Sequence, residues 1–413
     1  MKQTFAGTYC TPLSIPKFVV SFSISTDGPM ERILRSTLYS VNILMELSVL
    51  VNKFAIPGRL VTINPTGTGN VNDTYLAIFR NTFDEQQVIL QRINRAVFAK
   101  PELIMANLRL LISHAHRKLE EEAGEADRVW QMPKLIQARE GGDFYVDEGG
   151  DYWRVITKVS SATAFNETQG PEHAAECGAV LAHFHKLVAD LDTKALRDPL
   201  PGFHITPRYL ARYDATIATP GGAERLNASM EARRLAKFIE GRRDFVHVLQ
   251  QAVERGELAL RVMHGDPKVN NIMIDDFTGK GTAMIDLDTV SPGLVHYDFG
   301  DAVRSICNPA GEEELNLNKI VFDMDLCMAF CKGYLGQANG FMTEADHRHL
   351  FNAIRLITFE LGLRFFQDYL AGNVYFKTRH PEQNLNRARV QFRLCESIES
   401  RERMIQEMLA ALA

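Results

Sequence analysis

The stretch RVMHGDPKVNNIMIDD, Arg261–Asp276, crowds His264, Asp266, Lys268, Asn270 and Asn271 between two apolar runs, RVM and IMI. Polar groups held between buried strands are costly unless they are paired or used. A short way downstream, the apolar run of AMIDLDTV reaches Asp286 and Asp288. The intervening NIMIDDFTGKGTAMID reads as a hairpin, with strands over 271–276 and 282–286 joined by Thr-Gly-Lys-Gly. Such a hairpin returns Asp286 to the neighbourhood of Asn271. An amide oxygen and a carboxylate converging there are hard ligands, suited to Mg2+ bound together with phosphate oxygens. Asp266 is then placed to accept a proton from an attacking hydroxyl. Lys268 is placed to neutralise charge on a transferred phosphoryl group.

The rest of the chain sets the frame. Its 413 residues, 46% apolar and 23% charged, suit an ordinary soluble globular protein of more than one unit. A net charge of −5 argues against a general nucleic-acid binder. Six cysteines, scattered and without a C-x-x-C pair, point to a reducing, cytoplasmic setting. Cys327 and Cys331, and the group His173, Cys177, His183 and His185, read as core residues rather than metal ligands. The apolar segment LYSVNILMELSVLVNKFAIP carries Asn42, Glu46, Asn52 and Lys53, so it reads as an amphipathic or core helix and not a membrane span. No membrane partner is expected, and the N-terminus has no signal-peptide pattern.

From residue 58 the pattern turns to strands. RLVTINPT and DTYLAIFR flank the glycine-rich turn GTGNVN, and QQVILQRIN follows. A helix of about six turns begins at Pro101, and two or three further strands reach to about residue 159. Helical periodicity dominates from EHAAECGAVLAHFHKL onward, interrupted around the opening stretch. The expected class is α+β, in three parts. Residues 1–55 form an N-terminal extension, partly disordered or helical. Residues 56–160 form a small β-rich lobe, a five-stranded sheet with one helix. Residues 161–413 form a large, mainly helical lobe.

The ordered pattern H-x-D-x-K-x-x-N followed by I-D-x-D resembles the catalytic and metal-binding loops of the protein-kinase-like superfamily, in its aminoglycoside phosphotransferase branch. Within that branch the chain is most similar to N-acetylhexosamine 1-kinases, through GTGNVNDTY, LQRIN, YWRV, HGDPKVNN, IDLDTVSPGLVHYDFGDAVR, ELGLRFFQDYLAGNVYF and NLNRARVQF. The resemblance implies a two-lobed kinase-like fold, ATP and Mg2+, and transfer of the γ-phosphoryl group to the anomeric hydroxyl of an N-acetylhexosamine. It implies Asp266 as catalytic base and Asn271 and Asp286 as metal ligands. Asp288 becomes either a second ligand or a hydrogen-bonded structural acid. The alternatives are a kinase of another small alcohol or an aminoglycoside, and a ligand-binding pseudokinase without turnover. A monomer or homodimer is expected.

In the small lobe, Gly67, Gly69 and Asn72 of the glycine-rich turn are candidates for holding the nucleotide phosphates. The third strand lacks the lysine that the resemblance leads one to expect. Arg92 is the available cation there, a salt-bridged surface arginine being the alternative. Candidate substrate residues are His204, Arg208, Arg364, Asp368, Tyr369 and Tyr375, since flat aromatic faces rimmed by charged groups suit a sugar. His264 is expected to hold the loop in shape. Asp298, despite the literal D-F-G, reads as a loop anchor at the start of a helix.

Overall fold

The computed structural model describes residues 45–67, 71–121, 128–338 and 340–412. Gly69 and most of the N-terminal extension lie outside them. Leu47–Ala413 forms one compact unit, and it carries all that follows.

Strands β1 (Arg59–Pro65), β2 (Asp73–Arg80) and β3 (Glu85–Ile93) form an antiparallel meander. β4 (Leu135–Ile136) and β5 (Tyr145–Val146) both pair with β6 (Tyr152–Thr157), which pairs with β3. The sheet therefore has six strands, in the order β1-β2-β3-β6-β4 with β5 also on β6. Five were expected, because strands of two residues are too short to show alternation. Pro133, which has no N–H to give to a ladder, lies just ahead of β4. Helix α1 (Pro101–Glu121) follows β3 and buries Ile104, Met105, Leu108, Leu111, Ile112 and Ala115, the spacing of a single helical face.

Beyond Thr157 the chain becomes mainly helical. Five helices matter for the site: α2 (Pro171–Leu187), α3 (Thr206–Ile217), α4 (Val295–Ile306), α5 (Met324–Leu335) and α6 (Leu350–Ala371). α2 and α5 approach each other through glycines. A Cβ on Gly178 would lie 2.2 Å from the Phe330 carbonyl oxygen, and one on Gly333 would lie 2.0 Å from that of Ala175. That close packing brings His185 of α2 within 2.8 Å of the Tyr334 hydroxyl on α5. The cysteines named above sit in this core as buried free thiols.

Three short strand pairs carry the opening stretch. β8 (Arg261–Met263) pairs with β11 (Ser291–Gly293). β9 (Ile272–Asp275) pairs with β10 (Gly281–Met284) and with β7 (Ala162–Ala164). The expected hairpin is present but shorter, because the Asp275 carboxylate accepts from the Phe277 and Thr278 N–H groups and ends the strand. Among the described residues no helix is long and apolar enough to cross a membrane.

Candidate active site

The loop after β8 is pinned from several sides. Asp298, in the first turn of α4 and fully buried, accepts from the His264 N–H at 2.6 Å and the Gly265 N–H at 2.7 Å. His185 approaches the same carboxylate at 2.8 Å. These bonds hold the Asp298 carboxyl below its ordinary range, against burial that pushes it up. The Gly265 carbonyl is fixed from the other side, accepting from His204 Nε2 at 2.9 Å while His204 Nδ1 meets Glu360 at 2.9 Å. Burial alone would lower the His204 pKa, but the charge and hydrogen bond of Glu360 raise it. Both ring nitrogens then donate to acceptors. Gly265 has φ +88, and a Cβ there would lie 2.9 Å from Thr289, so no larger residue fits this turn. His264 Nδ1 accepts from the Asp266 N–H and its Nε2 donates to the Ile285 carbonyl, the neutral tautomer that burial favours.

This support delivers Asp266 to the cleft. Lys268 Nζ lies 2.6 Å from Asp266 Oδ2, and Asn271 Nδ2 donates to the Asp266 carbonyl at 2.8 Å and to Oδ2 at 3.2 Å. Asn271 is joined to the second acidic segment through its carbonyl, which accepts from the Ile285 N–H at 2.9 Å. Its Oδ1 has no hydrogen-bond partner among the described residues. Asp286 follows with φ 63, and its carboxylate likewise has none. Asp286 is exposed at the cleft, yet its carboxyl is pushed up to about 6, first by the surrounding protein and then by Asp288 and Asp266. An amide oxygen and a carboxylate left free amid concentrated negative charge fit a divalent cation. Among the described residues no group of three or more His, Cys, Asp or Glu could hold a metal ion. A cation on Asn271 and Asp286 therefore needs further oxygens from its ligand.

Asp288 is differently placed. It is 2% exposed, its Oδ2 accepts from Asn72 Nδ2 at 2.6 Å, and its Oδ1 lies 2.5 Å from Arg154 Nη1. Both carboxylate oxygens of Asp288 thus lie against side chains of the small lobe. Arg154 lies on β6 opposite Gln91 of β3, whose Oε1 accepts from Arg154 Nε at 3.0 Å and Nη2 at 2.7 Å. The expectation for Arg92 is corrected here. Its side chain, 43% exposed, pairs with Asp73 and Asp151. Side chains alternate along a strand, so Gln91 and Arg92 face opposite ways, and Gln91 has the side that meets Asp288. Of the glycine-rich turn, Gly67 is described, with φ +76, and Asn72 ties the turn's end to Asp288 and to the Asn94 N–H.

The expected substrate residues separate into groups. Arg364 of α6 lies among Phe203, Tyr209 and Phe376, at 5.1, 5.1 and 5.6 Å from their ring centroids. Its guanidinium has no hydrogen-bond or ion-pair partner among the described residues. Tyr375, half exposed, is also near Arg364, and the carboxylates of Glu360 and Asp301 favour its charged form. Asp368 instead accepts from the Val374, Tyr375 and Phe376 N–H groups at 2.9, 2.8 and 3.0 Å, so it shapes the segment carrying those rings. His204 holds Gly265, as described. Tyr369 packs on Phe366, with Glu382 and Arg225 as its charged neighbours. Arg208 is exposed and packs over Gly202.

Two charged residues that the sequence reading gave no role, Asp301 and Arg154, stand close to these groups. Asp301 Oδ1 accepts from Arg304, which also pairs with Glu312, while its buried Oδ2 has no hydrogen-bond partner among the described residues. Burial raises its pKa, and the neighbouring Asp266 adds to the rise. The signal for Arg154 was a charge in the middle of the apolar strand YWRVIT.

Comparison with solved structures gives the fold the same reading. The chain is similar to a microcompartment-associated aminopropanol kinase, with 18% identity over 88% of this chain and 98% of that one, at a TM-score of 0.54. A choline kinase from Cryptosporidium parvum matches at 13% identity over 84% and 90%, also at 0.54. An aminoglycoside phosphotransferase from Alicyclobacillus acidocaldarius matches at 14% identity over 87% and 96%, at 0.50. These likenesses show a shared two-lobed architecture. The model of the phosphotransferase enzyme family matches residues 63–320, more than half the chain and the whole span from β1 past the pinned loop, and the protein belongs to that family.

Proposed function

We propose that this phosphotransferase is a small-molecule kinase that transfers the γ-phosphoryl group of ATP to the anomeric hydroxyl of an N-acetylhexosamine, giving a sugar 1-phosphate. Asp266 orients the acceptor hydroxyl and takes its proton as the phosphoryl group moves in line. Lys268, already on Asp266, steadies the charge that develops beside it. Asn271 and Asp286 would hold Mg2+, which when bound neutralises phosphate charge.

The observation that carries the acceptor assignment is the pairing of two unsatisfied groups. Among the described residues, Arg364 lies among aromatic rings with no hydrogen-bond partner for its donors, and Asp301 has a buried oxygen with none. A neutral sugar answers both, since its hydroxyls and amide supply donors and acceptors while its apolar face meets the rings. A cationic amino alcohol is the second reading, because Asp301 offers it a counter-charge. Arg364 repels that same cation. The test is mass spectrometry after incubation with ATP, Mg2+ and a mixture of N-acetylglucosamine, N-acetylgalactosamine, choline, homoserine and an aminoglycoside. An acid-labile hexosamine phosphate supports the reading. Phosphorylation of the amines alone refutes it, and absence of any product together with bound ATP indicates a pseudokinase.

A further inference from the structure

The small lobe presents a cation to the acidic segment from an unexpected strand. Arg154 comes from β6, is 2% exposed, and is held by Gln91 Oε1 through two of its nitrogens. Its third nitrogen, Nη1, lies 2.5 Å from Asp288 Oδ1. The two atoms are close without hydrogen-bond alignment, so both remain unsatisfied as hydrogen-bonding groups in a buried setting. A buried ion pair recovers its desolvation cost only with good geometry and completed hydrogen bonds. This one has neither at Nη1.

Position gives the arginine a task. Asp288 is shared with Asn72, which closes the glycine-rich turn, and Arg154 is among the charges acting on Asp286. Arg154 thus stands where the turn, the cation-binding pair and the small-lobe sheet meet. Lys268, on the large-lobe side, is paired with Asp266. Arg92 points away to Asp73 and Asp151. From this placement we infer that Arg154 is the small-lobe residue that binds the phosphates of the nucleotide. Gln91 and Asp288 hold it ready, and a phosphate oxygen gives Nη1 the aligned acceptor it lacks. Guanidinium suits the task, since it stays charged when buried and offers a planar fork to phosphate.

This assignment rests on the kinase reading but not on the identity of the acceptor, so nucleotide binding alone tests it. Titration calorimetry would compare ADP with Mg2+ against adenosine, for the wild type, Arg154→Gln and Arg154→Lys. The expected result is a loss of ADP affinity of about 10- to 100-fold in Arg154→Gln, with adenosine affinity unchanged and part of the loss restored by lysine. Equal ADP affinity in the wild type and Arg154→Gln overturns the inference. So does a parallel loss of adenosine, which marks a structural role. If Arg154→Gln does not fold, the double variant Arg154→Gln/Asp288→Asn removes both charges and must show the same selective loss. A wild-type protein that binds no ADP overturns the kinase reading and this inference with it, whatever the acceptor screen shows.

Discussion

Replacing Asp298 by asparagine tests whether the loop's rigidity is what makes Asp266 competent. The carboxylate receives three donors at 2.6, 2.7 and 2.8 Å: the His264 N–H, the Gly265 N–H and His185. Asparagine preserves the shape but has one acceptor oxygen and an NH2 group that must face a donor. With the oxygen toward His264 and His185, the Gly265 N–H loses its partner in a fully buried site. An orphaned buried donor costs about 1–3 kcal/mol. The two surviving bonds fall from charge-assisted to neutral strength, roughly half, or about 1 kcal/mol each. The expected destabilisation is therefore about 3–5 kcal/mol, a large part of the 5–15 kcal/mol typical of a folded protein.

The same substitution frees the Gly265 peptide at one end, with the His204 bond alone still holding it. A displacement of Asp266 by about 1 Å would cost on the order of 100-fold in turnover. Urea denaturation and kcat with saturating substrates measure the two effects separately. Wild-type values of both would refute the anchoring argument. The Asp298 carboxyl is held below its ordinary value of 3.8, so its ionised form stabilises the fold. That contribution is complete above 3.8 and is lost as pH falls through the lowered value. The stability gap between wild type and variant must therefore be widest near neutral pH and close in acid.

Four further outcomes follow from the site. Asp266→Asn should lower kcat by about 100- to 10,000-fold with ATP affinity retained, and wild-type turnover in that variant would remove Asp266 from its role. Arg364→Ala should raise the acceptor KM by about 10- to 100-fold while the ATP KM stays put. Arg364→Lys should not restore it, since an ammonium lacks the flat face that lies among Phe203, Tyr209 and Phe376. Asp286, pushed up to about 6, binds a cation only when ionised. Mg2+-dependent activity should thus rise about tenfold from pH 5 to 7, with a lower midpoint in Asp288→Asn, and a flat profile would sink that account. Arg92→Gln should cost no more than about 1 kcal/mol of stability, since its ion pairs are half exposed, and should leave ATP affinity unchanged in the same calorimetry.

What could be read from the chain was what neighbouring residues decide together. Spacing alone brought Asn271 and Asp286 to one end of a hairpin, and the structure joins them through the Ile285 N–H. His264 reads as support because polar groups so close to apolar strands need partners, and Asp298 because it stands at the start of a helix. The errors arose where a side chain's role depends on a distant strand or on the way the chain reverses. Alternation along β3 groups Arg92 with Leu90 and sets both against Gln91, but it does not tell which face meets the large lobe. That depends on β6, some sixty residues away, bringing Arg154 opposite Gln91. The segment ELGLRFFQDYLAGNVYF failed for a related reason. Tyr369 lies five residues after Arg364, a rotation of about 140° on an α-helix, so the two leave the helix in different directions. Asp368, only about 40° from Arg364, has the right direction. Its carboxylate is taken by the N–H groups of residues 374–376, which the chain reversal at Gly372 turns back toward it. Closeness in the sequence thus groups residues that the fold sets apart, Asp368 on the segment that returns to it and Tyr369 against Phe366. Asp301 shows the converse: in the sequence it follows the literal D-F-G as part of a helix start, and only the packing of α4 brings its charge near Asp266 and Arg364.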